Sequence, residues 1–130
     1  ELHTIDINEE LEDFACSFIR KAGLEDCIQM HIGNALQVIP SLEKTWDLVF
    51  IDADKENYIN YYNAVFNSVK KGGFIIFDNV LWSGKVTQEV APKDKETKTL
   101  IDLAKLLQED ERIENVLLPV RDGLFMVRKK

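Results

Sequence analysis

The stretch Trp46–Gly84, WDLVFIDADKENYINYYNAVFNSVKKGGFIIFDNVLWSG, constrains the fold more than any other part of the chain. Asp47-Leu48-Val49-Phe50-Ile51 is a short apolar run that ends in Asp52. Phe74-Ile75-Ile76-Phe77 is a second, ending in Asp78-Asn79. Ile59, Tyr62, Phe66 and Val69 between them have helical spacing, and Lys70-Lys71-Gly72-Gly73 reads as the end of that helix. Two apolar runs joined by a helix predict buried parallel strands in a βαβ unit. As sheet neighbours, roughly 4.8 Å apart, they would bring Asp52, Asp78 and Asn79 together at the strand ends. Open α/β sheets bind ligands at that edge. Two carboxylates and an amide oxygen are hard donors, suited to Mg²⁺, Mn²⁺ or Ca²⁺ and poorly matched to zinc. Either acidic turn alone reads as a helix cap. Both together, with Lys55 three residues after Asp52, read as a site.

Composition narrows the class. The 130 residues suffice for one domain with a real core and not for two. Hydrophobic and charged contents of 45% and 30% are those of a soluble globular protein, and no apolar run approaches the length of a membrane span. Sixteen basic against 23 acidic side chains give a net charge of −7, which disfavours a nonspecific nucleic-acid binder. Cys16 and Cys27 have no metal or CxxC spacing, so free thiols and a cytoplasmic location are expected. His3 and His31 lie in strand-like segments and read as structural, and Tyr58, Tyr61 and Tyr62 read as helix packing and surface rather than a stacking platform.

The flanking segments extend the α/β pattern. Leu2-His3-Thr4-Ile5 reads as a strand ending at Asp6. Asn8 is placed as an N-cap, with Glu9 and Glu10 at the positive helix end. Leu11, Phe14, Ala15, Phe18, Ile19 and Ala22 form the stripe of a helix with one buried face, and Gly23 stops it. Ile28–Ile32 is the next strand, and Asn34 to Leu42 a short helix or turn limited by Pro40. Val80 to Pro92 is irregular, a length of loop that is usually functional or mobile. Lys93 to Asp110 reads as a helix with Thr97, Leu100, Ala104 and Leu107 on one face. Ile113 to Val120 and Leu124 to Arg128 read as strands of a hairpin around Arg121-Asp122-Gly123.

With these residues in place, the chain resembles the cation-dependent S-adenosylmethionine O-methyltransferases, the family of catechol and caffeoyl-CoA O-methyltransferases and their bacterial relatives. The resemblance rests on IDADKENY (Ile51–Tyr58), GGFIIFDNVLWSG (Gly72–Gly84) and LLPVRDGLFMVRKK (Leu117–Lys130), in this order and at these distances. It implies a Rossmann-like class I methyltransferase, an α/β three-layer sandwich whose mostly parallel sheet ends in an antiparallel hairpin. It places Asp52, Asp78 and Asn79 on the metal ligands and Asp6 on the acid that binds the cofactor's ribose. Ala35 falls beside the adenine, and Asp54 near the methionine end. Lys55 falls on the position of the catalytic base, with Asp52 counted among both the catalytic and the cofactor-binding residues. Trp82 and Ser83 fall on a loop that borders the acceptor.

The implied reaction is methyl transfer from S-adenosylmethionine to a hydroxyl of a catechol-like small molecule, assisted by Mg²⁺ or a similar cation. A hydroxyuridine in tRNA is the alternative acceptor, and a homodimer the implied assembly. The family's first strand and Gly-rich loop have no counterpart here. That strand lies between the strand ending at Asp6 and the strand ending at Asp52. Residues 1–130 therefore read as one methyltransferase domain, incomplete at its N-terminus. Two readings stand outside methyl transfer. A nicotinamide dehydrogenase would not need Asp52 together with Asp78-Asn79, and a non-catalytic binding module gains weight only if 130 residues is the full length.

Overall fold

The computed structural model describes residues 1–130 as two units, Glu1–Glu43 and Lys44–Lys130. In the first, strands β1 (Leu2–Asp6) and β2 (Ile28–Ile32) pair in parallel, from Leu2 opposite Ile28 to Asp6 opposite Ile32. Asn8 caps a 3₁₀ turn over Glu9–Leu11, its side chain accepting from the Glu10 N–H at 3.0 Å. Helix α1 (Glu12–Lys21) follows, and Gly23 closes it at φ +67°. Asn34 caps α2 (Ala35–Ser41), accepting from the Leu36 N–H at 2.9 Å.

One expectation for this unit fails. The stripe on α1 is not a buried face: Leu11, Phe14 and Phe18 are exposed, Phe14 by 65%. A two-stranded sheet offers too little surface to cover an amphipathic helix. The two histidines, 28 residues apart, turn out to be partners. His3 Nδ1 lies 2.9 Å from His31 Nε2, their ring planes 4° apart, and His3 Nε2 lies 3.1 Å from Glu1 Oε1.

The second unit is a four-stranded sheet in the order β3-β4-β6-β5: β3 (Trp46–Ile51), β4 (Val69–Asp78), β6 (Leu124–Lys129) and β5 (Ile113–Leu118). β3 and β4 are parallel and joined through α3 (Tyr58–Phe66); the other pairs are antiparallel. The expected α/β arrangement, parallel strands with a terminal antiparallel hairpin, is therefore present. β5 stops at Leu118, because Pro119 has no N–H to continue a ladder. Helix α4 (Lys95–Glu109) begins at Asp94, which accepts from the Thr97 N–H at 3.0 Å and from its hydroxyl at 2.8 Å. Tyr58, Tyr62, Phe77, Ile75, Leu103, Leu107 and Val127 are fully buried and form the core. No helix is long and apolar enough to cross a membrane.

Two readings of this unit are corrected. Helix α3 ends at Phe66, and Val69 already belongs to β4, as do Lys70-Lys71-Gly72-Gly73. Pairing jumps from Trp46–Val69 to Leu48–Phe74, so these four residues bulge out of the ladder. A Cβ on Gly73 would stand 2.9 Å from the carbonyl oxygens of Asp47 and Lys70, so only glycine fits that crossing. The cation at the carboxyl end of α3 is not Lys70 or Lys71 but Lys129, whose ammonium donates to the Phe66 and Val69 carbonyls at 2.8 and 2.9 Å. The β3 run is also buried on one face only: Ile51 is covered, whereas Leu48 and Phe50 are 53% and 55% exposed.

Asp110 ties α3 to the start of β5. It accepts from the Tyr62 hydroxyl at 2.7 Å and from Arg112 Nε and Nη2 at 2.8 and 2.6 Å. The Arg112 hydrogen bonds hold its carboxyl well below the usual carboxylate range. Asp110→Asn is expected to lower the unfolding free energy at neutral pH by roughly 1–3 kcal/mol, measured by urea titration. A carboxyl depressed in the folded state stabilises above its unfolded pKa of about 3.9, and that stability is lost as pH falls. The difference from wild type should therefore shrink below about pH 4; a margin that widens in acid would contradict this account.

Candidate functional site

The register sets the site in the second unit. Ile51 lies opposite Phe77, so Asp52 and Asp78 leave adjacent parallel strands at the same level. Asn79 follows at φ +58°, a left-handed conformation that asparagine tolerates better than most side chains. Its N–H donates to Asp78 Oδ1 at 2.7 Å, while Asp78 Oδ2 has no hydrogen bond of its own.

Lys55 opens a 3₁₀ turn, Lys55–Asn57, that leads into α3. It is only 4% exposed. A buried ammonium needs oxygen partners, and Lys55 Nζ has two. It donates to Asp52 Oδ1 at 3.3 Å and to the Tyr58 hydroxyl. It also stands over two rings, 4.5 Å from the Tyr58 centroid and 5.6 Å from that of Trp82. The Tyr58 hydroxyl passes its own proton toward the Asp78 carbonyl at 2.8 Å and the Ile51 carbonyl at 3.3 Å. One phenol thus joins Lys55 to the tips of both strands. Sequence reasoning assigned Tyr58 to packing; its place three residues after Lys55, on the same helical face, was the available signal.

The other second-unit residues are placed as follows. Asp54 precedes the 3₁₀ turn, and its carboxylate accepts from Asn57 Nδ2 and from the Tyr61 hydroxyl, both at 2.5 Å. Trp82 is half-buried and Ser83 exposed, at φ of +49° and +54°. The Trp82 indole nitrogen is buried without a hydrogen-bond partner. In the first unit, Asp6 ends β1. Its Oδ1 accepts from the Asn8 N–H at 2.8 Å and its carbonyl from the Gly33 N–H at 2.8 Å. Ala35 is the first residue of α2.

No three His, Cys, Asp or Glu side chains gather anywhere to hold a metal. The candidate donor set is instead two carboxylates and the Asn79 amide. Adjacent strand tips at one level, an open Asp78 Oδ2 and all-oxygen chemistry fit a hard divalent cation. A shallow cleft of about 570 Å³ lies elsewhere in the unit, lined by Tyr62, Asp102, Lys105, Asp110 and Arg112 among others. It includes none of the candidate catalytic, cofactor or metal residues named from the sequence.

Residues 1–130 match a family model described as O-methyltransferase. Caffeoyl-CoA O-methyltransferase 2 of Populus trichocarpa is 40% identical over 139 residues, covering 96% of this chain and 55% of that protein. The O-methyltransferase from Bacillus cereus, solved in complex with SAH, is 28% identical with a TM-score of 0.91, over 98% of this chain and 62% of that one. The SAH-bound methyltransferase of Podospora anserina is 27% identical with a TM-score of 0.89, over 100% and 61%. The chain thus spans little more than half the length of these relatives.

The three tyrosines of the chain all lie in the second unit and report on its packing. Burial pushes all three phenols up. Tyr61, with the Asp54 carboxylate adding to the effect, reaches about 12, and Tyr58 and Tyr62 go higher. A phenol whose folded pKa is raised stabilises below its unfolded value of about 10, and that stability is lost as pH rises. Phenolate absorbance should therefore stay flat through about pH 10–11 in the folded protein, and stability should decline over that range. A tyrosine ionising at its ordinary value in folded protein would show a ring in water, contrary to the packing described.

Proposed function

The chain belongs to the O-methyltransferase family, and from that membership we propose that the protein moves the methyl group of S-adenosylmethionine to a hydroxyl of a catechol-like small molecule with the help of a divalent cation. The observation that carries the reading is the convergence of Asp52, Lys55 and Asp78 through the Tyr58 hydroxyl at two level strand tips. Methyl transfer to oxygen needs the acceptor ionised and aligned, and a free phenol, with a pKa near 10, is mostly protonated at neutral pH. Asp52, Asp78 and Asn79 would hold the cation. A cation bound there would supply Lewis-acid chemistry that lowers the acceptor's pKa.

Lys55 has a defined task in this scheme. Its Nζ has three donor positions, of which Asp52 and Tyr58 engage two. The remaining one would stabilise the negative charge that develops on the acceptor oxygen. In the first unit, Asp6 Oδ1 is occupied by Asn8, which leaves its second oxygen for a ribose hydroxyl, and Ala35, the first residue of α2, would border the adenine. In the second unit, Asp54, already ordered by Asn57 and Tyr61, would meet the ammonium of the cofactor's methionine end. The protein's further contribution is alignment of oxygen, methyl and sulfur. The net charge of −7 favours a small acceptor over tRNA.

The reading is tested in the full gene product, with labelled S-adenosylmethionine and a panel of vicinal diols. Asp78→Ala is expected to remove cation-dependent transfer, and chelation should silence the wild type. Full turnover after chelation would take the cation out of the mechanism. Lys55→Ala should lower kcat about 10²–10⁴-fold, with cofactor Kd within about twofold. A large loss of cofactor affinity at intact kcat would reassign Lys55 to binding.

A further inference from the structure

The β5–β6 turn and the loop after Asn79 are built into each other. The Val80 and Leu81 N–H groups donate to the carbonyls of Gly123 and Asp122 at 3.2 and 2.8 Å. The Ser83 N–H donates to the Asp122 carboxylate, Oδ1, at 2.6 Å. A Cβ on Gly123 would stand 2.5 Å from Leu81 Cγ and 3.2 Å from Val80 Cγ2, so the loop lies on the bare backbone of the turn. Asp-Gly is explained as a hairpin turn by its own geometry, with Gly123 at φ +83°. The carboxylate bond to a residue 39 positions away is not.

That bond adds a side-chain anchor to a turn that the Gly84 N–H also closes, on the Leu81 carbonyl at 2.9 Å. Trp82 and Ser83 are consecutive non-glycine residues in the left-handed region, which L side chains disfavour. With Ser83 clamped, the Trp82 ring is held with its centroid 5.6 Å from Lys55 Nζ. Its indole N–H is shielded from water and has no acceptor. A buried donor without a partner is costly unless a ligand supplies the oxygen.

We propose that Asp122 is a positioning residue that sets acceptor selectivity: through Ser83 it holds Trp82 over the Lys55 site, so that the indole forms a wall against which a planar, oxygenated ring is selected. This rests on the methyl-transfer reading of the Lys55 site. Asparagine at 122 keeps an oxygen that accepts from Ser83; alanine does not.

The test uses the full gene product with Asp122→Ala and Asp122→Asn. Trp46 and Trp82 are the two tryptophans of this chain, so a Trp46→Phe background, with any tryptophan outside residues 1–130 also replaced by Phe, isolates Trp82 fluorescence. Asp122→Ala should raise KM for an aromatic vicinal diol about tenfold, the order of one charge-assisted hydrogen bond. Its KM for an aliphatic vicinal diol, and the Kd for S-adenosylmethionine, should stay within about twofold. Acrylamide quenching of Trp82 should increase, and Asp122→Asn should restore most of both effects.

Unchanged quenching in Asp122→Ala would overturn the proposal, because Trp82 would then be held by something else. So would equal losses for both diols and the cofactor, the mark of a general loss of structure. If the wild type transfers methyl to no diol, the methyl-transfer reading and the selectivity built on it both fail, while quenching still shows whether Asp122 holds Trp82. If the wild type is active and Asp122→Ala keeps its preference for the aromatic acceptor, only the present proposal falls.

Discussion

A buried ammonium group must be met by oxygen, and much of the second unit is arranged around that requirement at Lys55. Leaving such a charge unpaired in the interior would cost several kcal/mol. Asp52 supplies one partner and the Tyr58 hydroxyl the other. The hydroxyl is itself buried and must dispose of its proton, which it does on the main-chain carbonyls of Ile51 and Asp78. Those carbonyls are within reach of one phenol only because β3 and β4 run in parallel with Ile51 opposite Phe77. The Tyr58 ring packs against Phe77, centroids 5.7 Å apart, which anchors the hub in the core. The positions of the two strand-tip carboxylates are thus fixed from beneath by the packing of the sheet.

The parts of this arrangement legible in the sequence were those with a local signature. Apolar runs ending in Asp52 and Asp78-Asn79 located both strand tips, since a buried strand and its polar exit are adjacent in the chain. Asp122-Gly123 located the hairpin for the same reason. Lys70-Lys71-Gly72-Gly73 misled because a basic, glycine-rich quartet satisfies the chemistry of a helix end and of a bulged strand entry equally well. What decided between them was Gly73 crossing the Asp47 carbonyl, and Lys129 taking over the end of α3 from 63 residues away. The α1 stripe misled differently. Periodicity shows which face of a helix is apolar, and whether anything covers that face depends on surface supplied elsewhere.

Side chains that do one job in sequence and another in space account for most of the candidate site that was not legible. Tyr58, Tyr61 and Tyr62 read as packing and are indeed buried, yet each hydroxyl reaches a distinct polar group: the Asp78 carbonyl, Asp54 and Asp110. The ring explains the burial and the hydroxyl explains why tyrosine rather than phenylalanine stands there. The pairing of His3 with His31, across a parallel register that sets Ile5 opposite His31, was equally invisible at a separation of 28 residues.

Asp78 shows how one residue can serve structure and chemistry without conflict. Its carbonyl receives the Tyr58 hydroxyl, and one carboxylate oxygen orders the Asn79 amide. The second carboxylate oxygen has no structural duty. The core is therefore held by main-chain atoms, which any residue at that position would provide, and the side chain is left for a ligand. Asp52 divides its atoms differently. Its carboxylate is itself a partner of Lys55, so anything that draws Asp52 Oδ1 away weakens the hold on the ammonium. Each acid thus keeps one carboxylate oxygen, Oδ2, without a structural duty, and the two differ in what the other oxygen holds: a main-chain amide at Asp78 and the Lys55 ammonium at Asp52.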